Sequence, residues 1–214
     1  MRARLPAVKA RPPGRSRTYP LVVHALSDPA AEPRAVVLVE GPSDRAALQA
    51  LAERHQRDLD AEGVSVVAIG GAQAVGQFLG RLGRAKRDVR LAGLCDAGEE
   101  HAFRRALERA GLGSDLTRED MERLGFYVCN ADLEDELVRA LGADAVERVL
   151  AEQGELRSFR TYQKQEAHRA RPHEQQLRGF MTNRKVRYGR LLVEALDLSR
   201  VPRPLDRVLA HVLT

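Results

Sequence analysis

Four short apolar runs divide the middle of the chain, and each is followed by a polar turn and an amphipathic stretch. The first run, Ala35–Val39, is unbroken and largely β-branched, which is typical of a strand buried on both faces of a parallel sheet. The other predicted strands are Val64–Ile69, Val89–Cys95 and Phe126–Cys129. Four successive strand-then-helix units predict an α/β fold with a small doubly wound parallel sheet.

Helices are expected after each strand and through the rest of the chain. Ser43 is a candidate N-cap for the first helix, which the pattern predicts over Arg45–Glu62. The further predicted helices cover Ala74–Arg84, His101–Ala110, a segment ending at Leu141, Asp144–Gln153, Arg184–Leu196 and Leu205–Leu213, with a polar segment at 157–169.

Composition divides the chain into three parts. Residues 1–33 hold six of the ten prolines and predict a basic, extended arm. Residues 34–142 contain the predicted sheet and form the expected catalytic domain. Residues 143–214 predict a basic helical extension that completes the site. In sheets of this kind, function collects at the carboxyl ends of the strands.

The net charge of +5 becomes informative when it is mapped along the chain. Residues 1–35 carry +5, residues 36–154 carry −7 and residues 155–190 carry +7. Such a division suits a protein that holds a divalent metal beside a polyanion. The alternative is a general preference for arginine, because 31 of the 35 basic residues are Arg.

The apolar runs and the cysteine content indicate where the protein is located and whether its thiols are oxidised. No apolar run approaches the roughly 18 residues that span a bilayer, and the N-terminal segment lacks the apolar core of a signal peptide. The two cysteines, Cys95 and Cys129, lie in strand-like runs and are expected to be buried, reduced thiols. We therefore expect a cytoplasmic protein without a membrane partner and without a cysteine-ligated zinc.

Acidic residues follow three of the four predicted strands. Glu40 and Asp44 come after the first, Asp96 after the third, and Asp132 and Glu134 after the fourth. Asp44 or Asp132 taken alone also fits a helix cap. Carboxylates that converge repel one another unless cations lie among them, and hard oxygen ligands favour Mg²⁺ or Mn²⁺.

Three segments resemble a known family. They read Val-Val-Leu-Val-Glu-Gly-Pro-Ser-Asp, then Gly-Val-Ser-Val-Val-Ala-Ile-Gly-Gly, then Leu-Ala-Gly-Leu-Cys-Asp-Ala-Gly-Glu. Together they resemble a TOPRIM domain, and over roughly residues 35–195 the chain is similar to the TOPRIM part of OLD-family (overcoming lysogenization defect) nucleases. That resemblance extends to Asp44, to Asp132-Leu133-Glu134 and to a downstream lysine, for which Lys185 is the best candidate.

The resemblance implies a two-metal nuclease. Glu40, Asp44 and Asp96 would hold one ion, and Asp96, Asp132 and Glu134 a second; Glu40, Asp96 and Lys185 would be the catalytic residues. Two departures matter. Gly98 replaces the second Asp of the family's Asp-x-Asp, so Glu99, Glu100 or water must supply a ligand, or it is missing. Asp132 occupies a position where a hydroxyl residue is usual.

The basic stretch is the candidate nucleic-acid interface. Phe159, Tyr162 and Tyr188 lie within it, where base stacking and core packing both remain open. Lys185 also fits a solvated helix residue. The residues expected to hold phosphates are Arg157, Arg160, Lys164, Arg169, Arg184, Arg187 and Arg190, with Arg171 and Arg178 beside them.

The leading functional hypothesis is a metal-dependent DNA endonuclease. A non-catalytic nucleic-acid-binding TOPRIM module and a small RNA-processing TOPRIM nuclease are the alternatives. No Gly-x-x-x-x-Gly-Lys-Ser/Thr sequence occurs, so any ATP-driven step is expected to come from a separate ATPase protein. A homodimer is a further possible arrangement, and DNA is favoured over RNA.

Overall fold

A computed structural model of the protein describes residues 33–71, 73–84 and 89–214. The predicted arm lies outside the described residues except for residue 33. The strands of the described residues are β1 (Ala35–Val39), β2 (Val64–Ala68), β3 (Arg90–Cys95) and β4 (Phe126–Val128). These four parallel strands form one sheet in the order β2-β1-β3-β4, which confirms the α/β fold class.

Eleven α-helices are formed within the described ranges. They are α1 (Pro42–Arg54), α2 (Gln73–Arg84), α3 (Glu100–Arg109), α4 (Arg118–Arg123), α5 (Leu133–Leu141), α6 (Ala143–Glu152), α7 (Leu156–Gln163), α8 (Glu166–Arg169), α9 (His173–Met181), α10 (Lys185–Ala195) and α11 (Arg203–Leu213). Short 3₁₀ turns precede α3 and α10 and connect α10 to α11.

The strand register brings the ends of the strands to one edge. In β1, Val39 pairs with Ala68 of β2 and with Leu94 of β3. Glu40 therefore leaves the sheet beside Cys95, the last residue of β3, and directly before the position where Asp96 leaves it. The acidic residues that follow β1 and β3 are neighbours because the strands are parallel and in this register.

The first helix differs from the prediction at both ends. Its N-cap is Gly41 rather than Ser43, and it begins at Pro42. Proline is well placed there because the first helical position has no intrahelical partner for an N–H, and the fixed φ suits a helix. The helix ends at Arg54 rather than Glu62, since Gln56 adopts a left-handed backbone with φ of 58°.

Each face of the sheet has its own hydrophobic core. One core packs Val36, Leu38 and Phe126 against residues of α2, α3 and α4. The other packs Val37 and Val39 against α1, α5, α6 and the helices that follow. The predicted helical extension therefore shares a core with the strands, so that its side chains can reach the carboxyl edge.

Close packing of α10 on the start of α1 is what brings the extension to that edge. A Cβ atom on Gly189 would lie 2.9 Å from the carbonyl oxygen of Ser43. Only glycine permits this approach without a shift of backbone. Lys185, about one helical turn before Gly189, is thereby positioned near the residues that follow β1.

The cysteines are as predicted. Cys95 and Cys129 are both free and buried, and they belong to the two different cores of the sheet. Burial raises the pKa of both thiols, which keeps them protonated and inert. In the described parts of the chain, no helix has the length and apolarity needed to cross a membrane.

Candidate metal centre at the carboxyl edge of the sheet

Glu40 and Asp96 are joined directly at the edge. The backbone N–H of Asp96 donates a hydrogen bond to Oε1 of Glu40 at 2.7 Å. The side chain of Glu40 thus crosses from the end of β1 to the end of β3. This contact fixes one carboxylate oxygen of Glu40 close to a second acidic residue.

Asp44 is held in the first turn of α1. Its Oδ2 accepts a hydrogen bond from the backbone N–H of Gly41 at 2.8 Å. Asp44 is the third residue of the helix, and this hydrogen bond caps the helix N-terminus. The Asp44 carboxylate remains near Glu40, whose negative charge acts on it. Asp44 has both of the roles considered for it, as a capping residue and as a member of the acidic group.

Lys185 and Glu134 form the link between the extension and the sheet. Nζ of Lys185 donates to Oε2 of Glu134 at 3.0 Å. Glu134 is 5% exposed, and its Oε1 is buried with no partner among the described residues. A buried carboxylate oxygen without a partner is costly, so Glu134 has a coordination position available for a cation.

The acidic residues of the edge raise one another's pKa values. Burial, followed by the charges of Glu40, Asp44, Asp132 and Glu134, raises the pKa of Asp96 to about 7. Burial is also the main reason that the pKa of Asp44 rises to about 6, and it raises that of Glu40 as well. Full ionisation at neutral pH is therefore opposed until a positive charge enters.

Lys185 is a cation in contact with this group. Burial lowers the pKa of its ammonium, but the hydrogen bond to Glu134 and the charges of Glu134, Asp132 and Asp96 outweigh that effect and leave the pKa above its ordinary value. The side chain is 40% exposed. Lys185 is thus a charged, partly exposed residue whose ammonium contacts the acidic group through Glu134.

Both carboxylate oxygens of Asp132 already accept hydrogen bonds within the chain. It is the N-cap of α5, where its Oδ1 accepts from the backbone N–H of Asp135 at 2.8 Å. Its Oδ2 accepts from Arg178 at 2.6 Å, and Arg178 also contacts Oδ1 of Asp135 at 3.0 Å. Ligation of an ion by Asp132 would require that Arg178 release one oxygen.

Arg178 was considered only as a phosphate contact in the sequence. The structure uses it to connect α9 to the first turn of α5, across 46 residues of sequence. Helix α9, His173–Met181, was itself not predicted, so nothing in the sequence placed Arg178 near Asp132.

The carboxylates of the edge are chemically suited to a divalent metal, but they do not converge on one point. Its members are hard carboxylate oxygens, and one of them is buried without a partner. Within residues 33–71, 73–84 and 89–214, however, no group of three or more His, Cys, Asp or Glu side chains has the geometry to hold an ion as it stands. Binding would therefore have to draw the carboxylates together.

The position of the missing second aspartate is open. A Cβ on Gly98 would meet no atom within 4 Å. Of the two glutamates considered as substitutes, Glu100 forms an ion pair with Arg118, whereas the charge of Glu99 acts on Glu40. Glu99 is the better placed of the two to supply a ligand.

Several of the basic residues that the sequence assigned to nucleic acid form ion pairs within the chain. Arg184 and Arg187 both pair with Glu155. Arg157 and Lys164 form no ion pair within the described residues. The other pairs are Arg160 with Glu147, Arg169 with Glu166, and Arg190 with Glu53 and Glu194. A role for any of these in binding phosphate stays a prediction.

The aromatic residues of the same stretch serve mainly the core. Phe159 and Tyr188 are fully buried, and the Tyr188 hydroxyl donates to Glu155 at 2.8 Å. Tyr162 is partly exposed and stacks on His168, with the ring centroids 3.9 Å apart. Core packing, one of the two readings that the sequence left open, is what the structure shows for Phe159 and Tyr188.

Comparison with known proteins agrees with this architecture. Residues 33–96 match the family model described as "Overcoming lysogenization defect protein-like, TOPRIM domain". No curated protein matches the chain by sequence. The matched range begins two residues before β1 and ends at Asp96, so it contains Glu40, Asp44 and Asp96.

Solved structures share the fold over most of the chain. The C-terminal region of the Xanthomonas campestris pv. campestris OLD protein is 23% identical with a TM-score of 0.64, covering 84% of this chain and 92% of that one. The C-terminal region of the Burkholderia pseudomallei OLD protein is 20% identical with a TM-score of 0.60, covering 85% and 97%. At these identities the structures establish the fold alone. The family model over residues 33–96 and the shared fold together bear out the resemblance of this chain to the TOPRIM domain of OLD proteins.

Proposed function

We propose that the protein is a metal-dependent endonuclease that hydrolyses phosphodiester bonds of DNA. The observation that supports this most strongly is the group formed by Glu40, Asp44 and Asp96 at the carboxyl edge. Their pKa values are raised by burial and mutual repulsion, and Lys185 and Glu134 adjoin them. Perturbed acids that converge in this way are typical of functional sites.

Two Mg²⁺ or Mn²⁺ ions are part of this proposal, since TOPRIM domains generally bind divalent metals. Glu40, Asp44 and Asp96 would hold one ion, and Asp96 and Glu134 the other, with Asp132 added if Arg178 releases it. Ions bound there would supply an activated water and stabilise charge on the leaving oxygen.

The side chains of the chain itself have separable tasks in this scheme. The hydrogen bond from the Asp96 amide holds Glu40 in place. Lys185 would stabilise negative charge that develops on the phosphate oxygens, in the manner of a point charge. If Glu134 served as a metal ligand, the Lys185 ammonium would lose its present acceptor and would be available to the phosphate.

A non-catalytic nucleic-acid-binding module is the second candidate. Three observations favour it: Gly98 provides no carboxylate, Arg178 holds Asp132, and the carboxylates of the described residues form no closed ligand shell. In this case the acidic edge would be a remnant of the family site. An RNA-processing nuclease would use the same residues on another substrate.

The setting proposed for this activity is the cytoplasm, where buried thiols such as Cys95 and Cys129 stay reduced. We further propose that a separate ATPase protein acts with it, since the resemblance to OLD-family nucleases implies an ATP-driven step and no Gly-x-x-x-x-Gly-Lys-Ser/Thr sequence occurs in the chain. A homodimer is compatible with the proposal and is not required by it.

The direct test is incubation of the pure protein with supercoiled plasmid, linear duplex DNA and structured RNA, each with Mg²⁺, Mn²⁺ or EDTA. We expect cleavage of DNA with metal and none with EDTA. Glu40→Gln is the matched control, because the amide oxygen still accepts from the Asp96 N–H, and it should lower the rate by at least about 100-fold.

Three outcomes would revise the proposal. Absence of cleavage under every condition would favour the binding module. Cleavage of RNA alone would correct the substrate. Cleavage that Glu40→Gln leaves unchanged would mean that the activity arises elsewhere than at the carboxyl edge.

A further inference from the structure

The first turns of α3 carry three nitrogen-rich side chains on one face. His101, Arg104 and Arg105 have the i, i+3, i+4 spacing that places side chains together on a helix. Nη2 of Arg104 lies 3.0 Å from Nδ1 of His101, and Nη1 of Arg105 lies 3.2 Å from Nε2 of the same ring.

This arrangement lacks a hydrogen-bond acceptor. A neutral imidazole has one acceptor nitrogen and a protonated imidazole has none, whereas a guanidinium only donates. His101 therefore satisfies at most one of the two arginines. Arg104 and Arg105 together are a site at which an anion with several acceptor oxygens would complete the hydrogen bonding.

The acidic residues of the same helix do not supply that anion. Glu100 pairs with Arg118, and Oε1 of Glu108 accepts from the backbone N–H of Leu116 at 3.0 Å. Within the described residues, neither Arg104 nor Arg105 forms an ion pair. This distinguishes them from Arg184 and Arg187, which share Glu155.

A groove between α2 and α3 extends the charged face. It is lined by Gly76, Gln77, Gly80, Arg81, Ala106, Arg109 and Ala110, so its two charged residues are both arginines. Nε of Arg109 donates to the carbonyl oxygen of Arg105 at 3.1 Å, which ties the groove to the His101 cluster. The other lining residues on the two helices are mostly small, namely Gly76, Gly80, Ala106 and Ala110.

The position and length of this face match the polyanion of the proposed reaction. Helix α3 begins at Glu100, shortly after Asp96, so the face starts beside the carboxyl edge. From His101 to Arg109 the helix rises about 12 Å. One strand of duplex DNA carries a phosphate every ~3.4 Å along its axis, so the face spans roughly three or four phosphates.

We propose that His101, Arg104, Arg105, Arg109 and Arg81, here called the α3 cationic face, bind the phosphate backbone of duplex DNA and direct it to the carboxyl edge. This inference rests on the proposed nuclease function for the identity of the polyanion. Its chemistry rests on the missing acceptor and on the absence of described acidic partners.

The test measures DNA affinity without metal, so that no cleavage interferes. Arg104→Ala/Arg105→Ala is compared with wild type by fluorescence anisotropy on a labelled 20-base-pair duplex in EDTA, from 50 to 200 mM KCl. We expect affinity to fall about 10-fold, and the slope of log affinity against log salt to decrease by about 2, because two phosphate contacts are lost.

The matched control removes the same charge from paired arginines. Arg123→Ala/Arg203→Ala takes away two exposed arginines whose partners are Glu119, Asp120 and Glu122. It should change affinity by less than about 2-fold and leave the salt slope unaltered. Equal losses in the two double variants would overturn the proposal, as would wild-type affinity in Arg104→Ala/Arg105→Ala.

Cleavage kinetics separate this inference from the function on which it rests. With metal, Arg104→Ala/Arg105→Ala should raise KM and leave the rate at saturating DNA near that of wild type. If wild type cleaves DNA and the variant is unchanged in both constants, the α3 cationic face fails and the nuclease proposal stands. If wild type never cleaves but the variant loses affinity and salt slope as expected, the face stands and the nuclease proposal fails.

Discussion

The carboxyl edge of the sheet and the helices after residue 155 differ in how their charges are compensated. At the edge, Glu40, Asp44 and Asp96 face one another, and Lys185 is the cation whose charge acts on Glu40 and Asp44. In the helices, Arg184, Arg187 and several other arginines meet acidic partners from elsewhere in the chain.

The charges of the two regions therefore have different roles. The arginines of the helices are paired within the fold, whereas the carboxylates of the edge are expected to bind a ligand. Exposed ion pairs contribute little to stability, about 0–1 kcal/mol each, but they cancel the local field. Carboxylates without cations cost stability, and a protein retains them where they have a function. The net charge of each segment is therefore a weaker guide to ligand-binding residues than the pairing of individual side chains.

The largest effect that would sharpen this contrast is expected at Lys185. Lys185→Ala should lower the cleavage rate by about 10² or more, roughly 3 kcal/mol of transition-state stabilisation, with nearly unchanged affinity for DNA. Lys185→Arg should restore only part of the rate, since a planar guanidinium does not replace a point charge. Single-turnover kinetics at saturating DNA measure both. Arg187→Ala is the control, and a loss of rate as large as that of Lys185→Ala would remove the special role of Lys185.

Gly98→Asp extends the acidic edge instead of depleting it. Because a Cβ there meets nothing within 4 Å, the variant should fold with stability within about 0.5 kcal/mol of wild type. An added carboxylate beside Asp96 should strengthen Mn²⁺ binding about 10-fold. Calorimetric titration measures this, with Gly98→Asn as the uncharged control. Weaker binding by Gly98→Asp would show that this position does not face the ion.

Asp96→Asn should stabilise the metal-free protein. The pKa of Asp96 rises to about 7 on folding, so the unfolded chain ionises first and wild type loses stability as pH rises from about 4 to 7. The variant lacks this loss and, after allowance for solvent screening, should gain about 1 kcal/mol at pH 8 and nothing at pH 4. Urea denaturation in EDTA measures the difference. A destabilised variant at pH 8 would contradict the account of the edge.

The smallest effect is expected where the charges are already paired. Arg184→Ala/Arg187→Ala should reduce DNA affinity by less than about 2-fold with little change in the salt slope, because both side chains are held by Glu155, which offsets one of their two positive charges. The comparison is with Arg104→Ala/Arg105→Ala in the same anisotropy assay. A larger loss for the 184/187 pair would return the nucleic-acid interface to the basic helices.

Local sequence patterns were sufficient to predict most of the sheet. The unbroken apolar run of β1 was predicted with its observed bounds, and the acidic residues at the strand ends followed from the register of parallel strands. At α1 a local signal was misread: Pro42 at the first helical position outweighed Ser43 as a start signal. The proline pattern was visible in the sequence and was sufficient to place the cap at Gly41.

Contacts between residues far apart in the sequence could not be predicted from the sequence alone. Arg190 meets Glu53 across 137 residues, and Arg178 meets Asp132 across 46. Such pairs depend on how α9 and α10 pack, and α9 has no strong apolar periodicity to reveal it. The fold was thus predictable from pattern, whereas the distinction between paired and unpaired arginines required the structure.

The carboxyl edge is proposed as a divalent metal site in which both ions share Asp96 as a ligand. Calorimetric titration of the full chain with Mn²⁺ tests this most directly, with Asp96→Asn beside it and Glu119→Gln, an exposed acid paired with Arg123, as control. We predict saturable binding by wild type and the control, and at least about 10-fold weaker binding by Asp96→Asn. Wild-type binding by Asp96→Asn, or no binding by wild type, would contradict the claim.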